Sequence, residues 1–130
     1  MSSSIADVKD RIDTIESSYE FFLAYAAQGL TTDQGAKASA QLRDFLGRLD
    51  AALDGLAGAV TTAAAGREPA EAWRDMLDVV ATDARAALAA VRLVNAQEGI
   101  SSQLIDNLNA NIHLRALLTD LFLVDDLIDA

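Results

Sequence analysis

The sequence predicts an all-α protein, an antiparallel up-down-up-down four-helix bundle, and three observations lead there. Alanine and leucine dominate a chain that holds a single proline, a composition that favours helix over strand. Four long segments carry apolar residues at alternating spacings of three and four, the signature of a helix burying one face. The breaks between them are short and marked by glycine, proline and capping residues, so successive helices are expected to lie as antiparallel neighbours. A chain of 130 residues is long enough for one domain with a real core.

The first helix is expected over about residues 4–28, with Ser3 or Ser4 as its N-cap. Ile5, Val8, Ile12, Ile15, Tyr19, Phe22 and Ala26 form an unbroken seam, the strongest periodic signal in the chain. After Glu20 the run FFLAYAA is apolar nearly all round, and Gly29 supplies a stop. A turn follows over Leu30 to Gly35, where Thr31 and Gln34 are spaced as a capping box.

The second helix is expected over about residues 32–65, its inner face made by Leu42, Phe45, Leu49, Ala52, Leu56, Ala59 and Ala63. Gly47, Gly55 and Gly58 interrupt it. Each interior glycine costs about 1 kcal/mol against alanine, so they mark either the close approach of a neighbour or a local break near Gly55.

Gly66 to Pro69 punctuate the chain, with the proline at the first turn of a third helix over about residues 69–97. Trp73, Leu77, Val80, Ala84, Ala87, Val91 and Val94 make its face, and Glu68, Glu71 and Asp75 sit early, where the helix dipole favours acids. Gly99 ends it, and Ser101 or Ser102 caps a fourth helix over about residues 102–128.

That last helix changes its apolar face halfway along. Leu104, Ile105, Leu108 and Ile112 share one sector; Leu114, Leu117, Leu121, Val124 and Ile128 share another, and Phe122, Leu123 and Leu127 widen the second until it is apolar almost all round. A helix of that kind must be covered on more than one side, and three sister helices leave too little cover, so a second molecule is expected. The expected contact residues are Phe21, Phe22, Leu23 and Tyr25 at the end of the first helix, and Leu117, Leu121, Phe122, Leu123, Val124, Leu127 and Ile128 at the end of the last. The two patches lie at opposite ends of an antiparallel bundle, one available to a homodimer and the other to a different protein partner.

Charge and composition bound the function further. Twenty acids against ten bases give a net charge of −10, which repels phosphate backbones, and the bases form no stripe, so nucleic-acid binding is not expected. Asp120, Asp125, Asp126 and Asp129 have the wrong sign for a helix C-terminus; the antiparallel arrangement brings them near Lys9, Arg11, Arg67 and Arg74. No apolar run reaches the length of a membrane span, and the opening MSSSIADVKDR has no signal-peptide pattern, so a cytoplasmic protein is expected. The absence of cysteine removes disulfides and thiolate chemistry.

The chemistry available is sparse. No glutamate stands in the Glu-x-x-His spacing of a di-iron bundle, a haem would have to use His113 with Met76, and no glycine-rich phosphate loop or Ser-His-Asp set is present. No metal, cofactor or catalysis is therefore expected. His113, the single histidine, points away from both apolar faces and is aligned with Asp106 and Asp120. A four-helix bundle with one exposed histidine resembles the histidine phosphotransfer domains, whose helical imidazole accepts a phosphoryl group from aspartyl phosphate. Those domains read His-x-Leu-Lys-Gly; here His113-Leu114-Arg115-Ala116 puts leucine and base one position early and lacks the glycine. The resemblance implies His113 as phosphoacceptor. The competing reading is a surface histidine in a polar patch with Asn107, Asn109, Asn111 and Arg115, of which Asn111 and Arg115 fall nearest the apolar face.

The sequence thus leads to a non-catalytic, self-associating interaction protein, an adaptor, assembly factor or accessory subunit. Phosphotransfer through His113 is the alternative. An amphipathic, granule-coating protein is a further one, against which the strict seams argue.

Overall fold

The computed structural model describes Ser2 to Asp129, and every regular element among these residues is helical. The cap expected at Ser3 and the acid at Asp129 lie outside the described side chains. The helices are α1 (Ser2–Ala27), α2 (Ser39–Leu53), α3 (Leu56–Ala63), α4 (Ala70–Asn95), α5 (Ser102–Ala110) and α6 (Ile112–Asp129).

The seam of α1 is buried as its spacing demands: Val8, Ile12, Ile15 and Phe22 all face the core. At its end Tyr25, rather than Ala26, turns inward. In α4 the expected face is buried at Val80, Ala84, Ala87, Val91 and Val94, while Trp73 and Leu77 near its start are only half covered.

Two of the four expected helices are broken. The segment expected over 32–65 begins helically only at Ser39 and breaks after Leu53, giving α2 and α3. Gly55 sits at that break with φ +80°, a left-handed conformation that glycine adopts without steric cost. The guanidinium of Arg11 packs within 3.7 Å of where a side chain at this position would begin. The segment expected over 102–128 breaks at Asn111, giving α5 and α6.

α1 and α4 each pack against α2, α3, α5 and α6. Long-range bonds give the directions. Lys9 pairs with Asp125 at 3.0 Å, Asn109 Nδ2 donates to Tyr19 O at 3.0 Å and the Tyr25 hydroxyl donates to Ile100 O at 2.6 Å, so α1 runs opposite to α5 and α6. Phe21 stacks on Phe45 at 4.5 Å between ring centroids while Arg11 reaches Ala52 O, so α1 also runs opposite to α2.

The loop 28–38 is held by one buried carboxylate. Asp33, 2% exposed, accepts from the backbone N–H of Ile100 at 2.8 Å, from Ser39 Oγ at 2.9 Å and from Arg43 Nε at 3.1 Å. Arg43 continues to the carbonyls of Asn95, Gln97 and Glu98 at 2.9 to 3.0 Å, closing the C-terminus of α4. Ser102 reinforces the same end: its hydroxyl donates to Tyr25 O at 2.7 Å and accepts from the Leu30 N–H at 2.9 Å. The approach is tight, since a methyl group on Gly99 would fall 2.5 Å from Thr32 Oγ1. Burial alone pushes the Asp33 carboxyl up, but the Ile100 N–H, Arg43 and Ser39 outweigh it and hold the group below its ordinary value of 3.8.

This network yields an expected outcome. Asp33→Ala strands the Ile100 N–H and half-buried Arg43, and the loss in urea unfolding at neutral pH should be about 3–5 kcal/mol. Because the folded-state value is depressed, the ionised Asp33 stabilises the fold above its ordinary value of 3.8, and this contribution disappears as the pH falls through the lower folded value. The variant should lack that acid-side loss.

Candidate functional site

The residues that α6 exposes are set by the joint before it. Asn111 ends α5 with an extended backbone, ψ 125°, and its side-chain Oδ1 accepts from the backbone N–H groups of His113 at 3.0 Å and Leu114 at 3.3 Å. An asparagine whose side chain caps a helix start competes with continuing the helix before it. The break changes the fate of Ile112, which a continuous helix would have placed with Leu104 and Leu108 and which is instead 73% exposed.

From Ile112 onward one side of α6 is core and the other is not. Leu114, Leu117, Leu121, Val124 and Ile128 are buried, as is Leu118. Ile112, Ala116, Thr119, Leu123 and Leu127 follow at spacings of four and three along the opposite side, a stripe one helical face wide. Leu123 is 52% exposed, Leu127 49%, and Phe122 at the margin 42%.

The structure thus separates the residues that the sequence placed together. Leu117, Leu121, Val124 and Ile128 belong to this chain's own core and are closed to any second molecule, because α1 and α4 cover them. Phe122, Leu123 and Leu127 remain at the surface. The patch expected at the end of α1 contracts further. Phe22 and Tyr25 are fully buried, Phe21 is taken up by its stack on Phe45, and only Leu23 stands out, at 51% exposure. Sequence periodicity missed Ile112, whose exposure depends on the break at Asn111.

Two open grooves flank α6. One, about 410 Å³, lies against α4 and is lined by Trp73, Met76, Leu123 and Leu127, with Arg67 at its end. Arg67 is held in place by the last carbonyls of α6, Leu127 O at 2.9 Å and Ile128 O at 2.6 Å. The other, about 470 Å³, lies against α1 and is lined by Tyr19, Ile112, Ala116, Thr119 and Phe122.

On the α4 side the polar residues converge. His113 Nδ1 lies 3.1 Å from Asp83 Oδ1, and the Asp83 carboxyl also faces Asp120. Asp120 Oδ2 is buried and meets no hydrogen-bond donor. Burial first, then the hydrogen bond with Asp83 and the charge of Asp83, push Asp120 up from its ordinary 3.8 to about 7. Two carboxyls in contact share a proton more readily than both ionise. With the proton on Asp120, Asp83 serves as acceptor for both Asp120 and the Nδ1–H of His113. Asp120 can therefore hold a proton near neutrality. Asp120 and His113 were paired by their spacing in the sequence; Asp83 joins them only through the α4–α6 packing. Asn109 is the fully buried polar residue of this stretch, while Asn111 is partly buried and Arg115 is exposed. Among the described residues no group of three or more carboxylates, imidazoles or thiols is arranged to hold a metal ion.

The raised value of Asp120 has a definite sign. The folded chain keeps a proton that the unfolded chain releases above 3.8, so this group's contribution to stability falls as the pH rises from about 4 to 7 and stays low above that. Asp120→Asn imitates the protonated form. Denaturant unfolding at pH 5 and pH 8 should show the variant gaining about 1–2 kcal/mol on the wild type at the higher pH and little at the lower.

Comparison with protein-family models, with curated proteins and with solved structures finds no match for this chain.

Proposed function

We propose that this chain is a non-catalytic, self-associating interaction protein, an adaptor, assembly factor or accessory subunit, built as an up-down-up-down bundle of four rods: α1, α2 with α3, α4, and α5 with α6. The bundle reading rests on the opposed directions of neighbouring rods and on the way α1 and α4 share all their neighbours. The functional reading rests on one observation, the stripe of Ile112, Leu123 and Leu127 with Phe122 beside it, which stands in solvent on a helix whose inner side is already packed. Scattered exposed leucines are ordinary, but apolar residues aligned on one helix face and flanked by two apolar grooves mark a contact surface.

The magnitude favours a weak dimer. Covering the exposed half of each of these side chains contributes about 1 kcal/mol apiece, which two copies must set against the several kcal/mol lost on association. The gross gain of roughly 8 kcal/mol over two copies leaves a surplus of a few kcal/mol, which corresponds to a dissociation constant from the high micromolar to the millimolar range. Light scattering and sedimentation should give a concentration-dependent dimer. Leu123→Lys, at an exposed position, should leave the helical circular dichroism and unfolding midpoint near wild type and shift the equilibrium to monomer. A wild-type chain that stays monomeric and soluble up to millimolar concentration defeats the proposal.

A second reading is favoured by the setting of His113. Its ring is half exposed and Nδ1 is engaged by Asp83, so Nε2 is the nitrogen left to act as phosphoacceptor. Incubation with a phosphorylated receiver domain should then label the chain, and His113→Gln should abolish the label; absence of label on the wild type removes this reading.

A further inference from the structure

Resting on the self-association reading, we propose that the partner on α6 is a second copy of this chain, packed antiparallel across a two-fold axis near Thr119, with Arg115 of each copy paired to Asp126 of the other. The chain carries a net charge of −10, so most of its surface repels a second copy. The outer side of α6 is an exception. Asp125 is neutralised by Lys9, and Asp120 is turned toward Asp83. Among the described side chains of α6 itself, that leaves Arg115 and Asp126, both exposed, as the charges beside the apolar stripe, while Arg67 and Glu68 line the groove on the α4 side. Neither Arg115 nor Asp126 has a side-chain partner among the described residues.

Their spacing carries the orientation. Eleven residues apart, they lie within about 20° of each other around the helix and about 16 Å apart along it. Two copies side by side in the same direction would set Arg115 against Arg115 and Asp126 against Asp126. Two copies in opposite directions set each arginine against an aspartate, and also oppose the helix dipoles.

The apolar residues agree on the same midpoint. In an antiparallel pair, Ile112 of one copy faces Leu127 of the other, and the large Leu123 faces the small Ala116; both pairings are centred between residues 119 and 120. The Arg115–Asp126 pairing is centred between 120 and 121, within one residue of it. A two-fold interface must be self-complementary in this way, each residue meeting its counterpart's partner. The grooves fit the register. Ile112 of one copy lies over the Trp73–Leu127 groove of the other, and Phe122 lies over the groove between α1 and α6.

The test uses the full chain, which contains no cysteine. Arg115→Asp and Asp126→Arg should each weaken the dimer about tenfold in sedimentation, because each reversal acts twice across the axis, and the double reversal should restore it. Oxidation should cross-link Thr119→Cys to its own copy, while Ala116→Cys, whose counterpart is Leu123, should remain uncross-linked. A wild-type dimer indifferent to the single reversals, or cross-linked equally well at both positions, overturns this register and leaves self-association standing. A wild-type monomer overturns both.

Discussion

The pairing of Asp33 with Arg43 is the interaction on which one whole end of the molecule depends. A carboxylate that is almost wholly buried is costly unless its oxygens are filled, and here they are filled by a hydroxyl and a guanidinium from the first turns of α2 and by the backbone N–H of Ile100. Through Arg43 the same group reaches the carbonyls that end α4. The loop 28–38, the start of α2, the end of α4 and the start of α5 are thereby set at fixed distances. The apolar seams then have one register in which to close. Tyr25 and Ser102 add bonds between α1 and α5 at the same end, which explains why the aromatic run closing α1 turns inward.

A second regularity concerns the arginines. α2 and α6 have no base in their last turns, and the acids there are unfavourable to the helix dipole. Each is closed by an arginine from elsewhere: Arg11 on α1 donates to Ala52 O and Asp54 O, and Arg67 donates to Leu127 O and Ile128 O. Arg43 does the same for α4. In a chain with twice as many acids as bases, these arginines serve carbonyls as much as carboxylates. A guanidinium presents several donors in a planar fork, which suits it to a fan of terminal carbonyls better than an ammonium.

The polar joint at Asn111 and the cluster at Asp83, Asp120 and His113 both sit beside the exposed stripe of α6. The joint turns Ile112 outward, and the cluster occupies the margin between that stripe and α4. Asp120, pushed up to about 7 by burial and by Asp83, thus lies beside the stripe, so its protonation state bears on the α4–α6 packing that supports the stripe.

Much of the fold follows from local rules. The helical class, the seams of α1 and α4, the glycine stops and the inner face of α6 are written in the spacing of apolar residues, because a helix with one greasy face has few ways to hide it. The break near Gly55 was one of two readings that its glycines allowed. Other features have no local signal. Asn111 resembles any polar helix residue until its side chain is seen to cap the next helix, and Asp33 resembles a turn acid until the backbone N–H of Ile100 arrives from far along the chain. Which leucines of α6 lie in the core and which in solvent was likewise decided by packing: periodicity shows how much apolar surface exists, whereas only the positions of α1 and α4 determine how much of it one chain can cover.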